Sequence, residues 1–137
     1  MSQENVNAVR VSYEAFNRRD FDALFEIYDP EIVWEQDERF VEPGTHYGHT
    51  GVRQVFESIF ESFEDFQVEV EEIFDLDDQV LAILRIVGKA KLTGMELATP
   101  GGHLFWFRDG KAIKLKLFVD PAEAREAAGV GEGARAD

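Results

Sequence analysis

The sequence predicts an α+β fold, with helices packed on one face of an antiparallel sheet. Three observations predict it. Apolar residues recur at spacings of three and four in the segments leading up to Phe63, and mostly at a spacing of two after it. The chain has 137 residues, the usual length of one domain, and is 45% hydrophobic, so it can bury a core of its own. Twelve phenylalanines are many for that length, and they fit either an aromatic-rich core or an apolar cavity lined with rings. Helices first and strands afterwards is the order of segregated layers.

Val6, Val9, Tyr13 and Phe16 put one apolar stripe on a helix over residues 5–18. Asp20 is placed to cap a second, shorter helix over residues 21–28, which Asp29-Pro30 ends because the residue before proline avoids the α conformation. Ile32, Val33 and Trp34 make residues 31–35 a short strand. Residues 36–51, with Pro43, Gly44, Gly48 and Gly51, read as a long polar loop, and such loops in compact domains usually carry function. Val52, Val55, Phe56, Ile59, Phe60 and Phe63 give a third helix, with Thr50 as its candidate cap.

Phe66, Val68 and Val70 alternate with polar neighbours, as in a half-buried strand. Asp77-Asp78 turns the chain into a strand over residues 80–91. Residues 92–102, rich in Gly and Pro, predict a wide or bulged connection. Strands follow over 103–107 and 112–119, joined by a tight turn at Asp109-Gly110. Pro121 starts a short terminal helix, and residues 129–137 read as a frayed tail.

Composition removes several functions. There are 28 acidic residues against 14 basic ones, a net charge of −14, and such a field repels nucleic acid and anionic membrane. Ten acids between Glu57 and Asp78, with no Lys or Arg among them, read as a solvated face. Without cysteine there is no disulfide, thiol catalysis or thiolate metal site. No apolar run reaches the roughly 18–20 residues of a membrane span, so a soluble, cytoplasmic single domain is expected. There is no phosphate-binding glycine loop, no dinucleotide fingerprint and no nucleophile elbow around any serine. His46 and His49 have neither helical chelate spacing nor a motif around them, so no metal and no cofactor is expected.

The stretches VSYEAFNRRDFDALFEIYDPEIVWE (11–35), GHTGVRQVFESIFESFEDFQVE (48–69) and HLFWFRDGKAIKLKLFVDPAEAREAAG (103–129) carry a resemblance. Through them the chain resembles the SnoaL-like branch of the NTF2-like superfamily, to which ketosteroid isomerase, limonene epoxide hydrolase and polyketide cyclases also belong. The likeness runs from about Glu4 to Gly129, which implies one domain over residues 1–129 and a flexible tail over 130–137. It implies a cone: three N-terminal helices on a strongly curved sheet, a short C-terminal helix, and a pocket between the concave sheet face and the helices. One scaffold of this kind hosts isomerases, hydrolases, cyclases and binding modules, so fold does not settle activity.

Matched position by position, the resemblance puts Glu35 where ketosteroid isomerase has its general base, and His103 where a carboxylic acid completes the oxyanion hole. A pocket-facing Glu35 would be desolvated and its pKa raised, as abstraction of a proton beside a carbonyl requires. The oxyanion tyrosine falls near Ser12, with Tyr13 adjacent on the core face. Against limonene epoxide hydrolase, Arg85 matches the arginine, but Val87 and Leu117 stand near the two aspartate positions, which disfavours that activity. Strand alternation sets His103, Phe105 and Phe107 on one face and Trp106 on the other, with Lys114 and Lys116 beside it.

The expected pocket thus comprises the catalytic pair Glu35 and His103 with Tyr13, Trp34, Tyr47, Phe60, Arg85, Phe105, Leu117, Val119 and Asp120. Tyr47 would close its mouth, while Asp120 either caps the terminal helix or faces the rim. Two functions fit. One is a cofactor-independent isomerase- or cyclase-type enzyme acting by proton transfer on a small hydrophobic carbonyl or polycyclic compound. The other is a non-catalytic module on the same scaffold that binds a small molecule or serves as a dimeric interaction module. A homodimer through the face bearing Trp106 is expected with either.

Overall fold

The computed structural model describes residues 2–40 and 42–130. In chain order these form α1 (Ser2–Asn17), α2 (Phe21–Ile27), β1 (Tyr28–Gln36), β2 (Gly44–Tyr47), α3 (Gly48–Ser62), β3 (Phe63–Leu76), β4 (Gln79–Ala90), β5 (Glu96–Arg108), β6 (Lys111–Phe118) and α4 (Pro121–Ala128). The six strands make one open sheet in the order β2-β1-β6-β5-β4-β3. Every neighbouring pair is antiparallel except β1 and β6, which run parallel. The sheet is therefore mixed rather than purely antiparallel. The long chain between β1 and β6 makes the parallel pairing possible, since parallel strands need a crossover.

Helices α1, α2 and α3 cover one face of the sheet and bury the larger core, in which Phe16, Phe56, Phe66, Phe105 and Leu115 meet. The opposite face carries a smaller cluster around Leu81, Ile83, Leu104 and Phe118, covered by α4 through Ala124. Gly102 permits that second contact: a Cβ there would lie 2.4 Å from the Ala124 Cβ. Asp20 and Asp120 cap α2 and α4 as expected, accepting from the Ala23 and Ala122 amides at 3.2 and 2.9 Å.

Four boundaries differ from the sequence expectation. The polar segment after β1 contains β2, a four-residue edge strand paired with Val33 to Gln36, too short and polar to show alternation. Helix α3 begins at Gly48, capped by Tyr47 without a side-chain hydrogen bond, so Thr50 lies inside its first turn. The expected wide connection over 92–102 is mostly strand: β5 pairs with β4 from Glu96 onward. Pro100 is tolerated because β6 ends opposite Gly102, leaving β5 with one neighbour beyond that point. Val130, expected in the tail, is buried beside α4, and the rest of that expectation, residues 131–137, lies outside the described residues. Among the described residues no helix is long and apolar enough to cross a membrane.

Candidate active site

A cavity of about 290 Å³ lies between the concave sheet face and helices α1 and α3. Its walls are mostly aromatic and aliphatic, among them Phe16, Phe56, Phe66, Phe105, Leu115 and Leu117. Its polar groups decide what it can do, and most of them are already engaged. Ser12 donates to the Val9 carbonyl at 2.7 Å, a bond within its own helix. The Trp34 indole donates to Gln36 Oε1 at 3.0 Å, and Gln36 Nε2 donates to the Glu42 carbonyl at 2.6 Å. Ser58 donates to the Glu42 carboxylate at 2.7 Å.

A further polar pair stands at the meeting of α1 and β5, and Tyr28, Ser62 and Thr99 are also among the lining residues. Tyr13 Oη and His103 Nδ1 lie 2.6 Å apart, joined by one hydrogen bond whose direction depends on the imidazole tautomer. His103 Nε2 is buried and has no hydrogen-bond partner. An orphaned nitrogen of this kind is costly unless a ligand or water completes it.

Local structure explains why the two rings meet. The side chain of Asn17, at the end of α1, bonds both the carbonyl and the amide of Val68 at 2.8 and 2.9 Å. Arg19 donates to the Phe66 carbonyl at 2.7 Å. Those bonds fix α1 on β3 and set Tyr13 against His103 and edge-on to Phe105. Burial acts on both groups. It lowers the His103 pKa to about 3, so the imidazole is neutral at pH 7. It raises the Tyr13 phenol well above its ordinary value, helped by Tyr28 nearby, so the hydroxyl keeps its proton.

Of the residues expected in the pocket, Tyr13, Trp34, His103, Phe105, Leu117 and Val119 line it. Glu35 does not. Its strand neighbours Trp34 and Gln36 take the cavity side, so period-two alternation sends the Glu35 carboxylate through to the other face. There it pairs with Lys114 and Lys116 at 3.7 and 3.4 Å and stays one-third exposed. A general base at Glu35 is thereby overturned, because the carboxylate and the imidazole lie on opposite sides of the sheet.

Arg85 is exposed for the same reason, since Leu84 and Ile86 face inward. Tyr47 is 69% exposed on the edge strand rather than closing the mouth. Phe60 stands behind the wall, stacked on Phe16 and covered by the Arg19 guanidinium at 4.5 Å. Asp120 is spent on capping α4. His46 and His49 donate to the carbonyls of Glu42 and Tyr28, which holds the loop and helix entry in place. Among the described residues no cluster of three or more His, Asp or Glu side chains is placed to hold a metal ion.

Sequence reasoning missed Gln36 and the role of Tyr13. Gln36 was legible from Trp34 by counting two along the strand. Tyr13 is one residue away from the matched position at Ser12, and only the seating of α1 on β3 shows that it reaches His103.

Comparison with known proteins places these features. No curated protein matches the chain. TerC, crystallised with polyporic acid, is 22% identical over 92% of this chain and 98% of its own, with a TM-score of 0.78. An NTF2-like protein from Burkholderia thailandensis E264 is 24% identical over 91% and 96%, at a TM-score of 0.79. A protein from Jannaschia sp. CCS1, provisionally assigned as a SnoaL-like polyketide cyclase, is 21% identical over 92% of both chains, at 0.76. At such identities these likenesses show the fold. The family model for the SnoaL-like domain matches residues 9–115, a stretch that contains both Tyr13 and His103, and the chain belongs to that family.

Proposed function

We propose that the cavity is the active site of a cofactor-independent isomerase- or cyclase-type enzyme, acting by proton transfer on a small hydrophobic carbonyl compound. The observation that carries this reading is the Tyr13–His103 pair, 2.6 Å apart in a cavity whose other polar groups are mostly satisfied by protein. A carbonyl oxygen placed against the pair would meet a fixed donor as negative charge develops on it. In a water-poor cavity such a donor contributes far more than in solution. The apolar rings would hold the body of the substrate by burial alone. That TerC was crystallised with polyporic acid supports a small organic ligand for this fold.

The test is deuterium uptake from D2O at the carbons beside the carbonyl of β-tetralone, an uncharged bicyclic ketone. The wild-type protein should accelerate uptake over buffer, and Tyr13→Phe should reduce that rate by about 10²–10³, the range for loss of one oxyanion donor. The position of Glu35 favours a second reading, a binding module without turnover, because the carboxylate expected as base lies on the other face and Glu42, the carboxylate among the described lining residues, accepts from Ser58. Binding of β-tetralone with no acceleration of uptake would select that module.

We also infer a homodimer through the convex face. Helix α4 covers the Leu104 side of this face but leaves the strip of Glu35, Lys114, Lys116 and half-buried Trp106. Light scattering at micromolar concentration should give twice the chain mass, and Trp106→Ala should shift the protein toward monomer. A monomeric wild-type protein would discard the dimer.

A further inference from the structure

Charge is scarce in the cavity wall. Among the described lining residues the charged side chains are Arg39 and Glu42, both on the β1–β2 connection. Arg39 is already matched. Its Nε and Nη2 donate to the Asp37 carboxylate at 3.0 and 2.7 Å, and Nη2 also reaches Glu123 at 2.7 Å. Two carboxylates therefore share one guanidinium. Glu42 has no such match: among the described residues its carboxylate forms no ion pair with any Lys, Arg or His.

The Glu42 carboxylate is nevertheless held in place. The backbone carbonyl of Glu42 accepts from Gln36 Nε2 of β1 at 2.6 Å and from His46 Nε2 of β2 at 3.0 Å. Gln36 is itself anchored by the Trp34 indole at 3.0 Å. The side-chain Oε1 accepts from Ser58 Oγ of α3 at 2.7 Å. Three elements thus fix the residue and engage one carboxylate oxygen, while Oε2 makes no hydrogen bond among the described residues. Glu42 is half-buried, and its Oε2, unlike His103 Nε2, keeps accessible surface. A carboxylate oxygen accepts about two hydrogen bonds, so Oε2 has room for a donor from a ligand. Because the group is ordered beforehand, that donor meets a smaller entropic cost.

The surroundings select a cationic donor over a neutral one. At this end of the cavity one guanidinium stands against the carboxylates of Asp37, Glu42 and Glu123, within a chain of net charge −14. A cleft with apolar walls focuses a field of one sign and concentrates ligands of the other. The phenylalanine rings that form much of the wall add negative π faces, which attract a cation further. An anionic head group meets the reverse of each effect. Resting on the reading of the cavity as a small-molecule site, and holding for enzyme and binding module alike, we infer that the ligand carries a protonated amine on an apolar body. The ammonium sits on Glu42 Oε2 and the body lies among the rings. If the protein is an enzyme, the substrate class narrows to a carbonyl compound bearing a basic amine, its two polar ends served by different elements of the fold.

Three ligands with one bicyclic frame test this by calorimetry at pH 7: 2-aminotetralin as the cation, β-tetralone as the neutral form and tetralin-2-carboxylate as the anion. The wild-type protein should bind the amine at least about tenfold more tightly than the carboxylate. Glu42→Gln keeps the shape and removes the charge. It should weaken the amine by about 10–100-fold, the range for a hydrogen bond to a charged group, and leave β-tetralone within about twofold. Glu71→Gln removes the same charge from an exposed position on β3 and should change neither ligand. If β-tetralone binds but Glu42→Gln leaves the amine unaffected, the Glu42 site is overturned and the cavity reading stands. Equal losses of amine and β-tetralone in Glu42→Gln, equal amine losses in the Glu42 and Glu71 variants, or equal binding of amine and carboxylate to wild type overturn it too. If none of the three ligands binds, the small-molecule reading fails and the amine site with it.

Discussion

Trp34 and Glu35 are consecutive on β1, yet one is buried in the cavity wall and the other sits among lysines in water. The same division repeats across the sheet. On β6, Leu115 and Leu117 floor the cavity while Lys114 and Lys116 face outward; on β5, Phe105 faces the cavity and Trp106 lies under the Lys114 ammonium at 4.8 Å. The concave face is desolvated and nearly uncharged, and the convex strip is charged and wet. A step of one residue along a strand therefore changes the chemistry available to a side chain more than its identity does. A carboxylate on the wet strip is paired and solvated, whereas a lone histidine on the dry face is held neutral.

The largest expected effect breaks the dry face. Phe105 is fully buried beside Phe107 and Tyr13. Phe105→Ala should cost about 3–5 kcal/mol in urea unfolding, through lost burial and the cavity left behind. Lys114→Ala on the opposite face, whose side chain is 38% exposed, should cost under about 1 kcal/mol.

The next effect is read by acid. His103 is neutral in the folded protein down to about pH 3, whereas the unfolded chain protonates it near its ordinary value of 6.5. Between those limits the unfolded state binds more protons, so stability falls as pH falls. From pH 6.5 to 4.5 this group alone should remove about 2–3 kcal/mol. His103→Gln should flatten that part of the stability–pH curve, a comparison that isolates His103 from the many carboxylates.

A third variant tests the other side of the sheet where it is covered. Gly102→Ala puts a Cβ 2.4 Å from the Ala124 Cβ, and α4 must move. The cost should be about 1–3 kcal/mol, the range for overpacking. Ala124→Gly in the same chain should recover most of it, because the two residues share one contact. Independent, additive losses in the pair would show that α4 does not sit as described.

What the sequence shows of this molecule divides along the same line. Period-three-and-four and period-two patterns give α1, α3, β3 and β6, because each has one buried face to print its period. They also put His103 with Phe105 and Trp106 opposite, which the structure bears out. β2 was not legible, because four residues on a sheet edge bury nothing that repeats. β5 beyond Gly102 was hidden by Pro and Gly residues whose roles are set by α4 and the strand's free edge. The Glu35 error came from matching a position without applying alternation: Trp34 and Glu35 could not both line one cavity. The Tyr13 contact depended on how α1 is pinned by Asn17 and Arg19, a long-range fact with no local signature.

The smallest effect is the sharpest test of the division, because it asks for a near-null result at a residue the family resemblance marks as catalytic. Glu35 lies 3.7 and 3.4 Å from two ammonium groups, all three side chains being about one-third or more exposed. Pairs of that kind contribute little, since water competes for both partners and long side chains lose freedom in making them. Glu35→Gln should therefore shift stability by less than about 1 kcal/mol, and by less still at 1 M salt, where screening has removed most of the attraction. Its β-tetralone exchange rate should match wild type within about twofold, in contrast to the loss of about 10²-fold or more expected from Tyr13→Phe. A large loss of exchange with unchanged stability would mean that Glu35 communicates with the cavity through the sheet. The convex strip would then no longer be separable from the site, and the contrast between the two faces would hold for packing but not for chemistry.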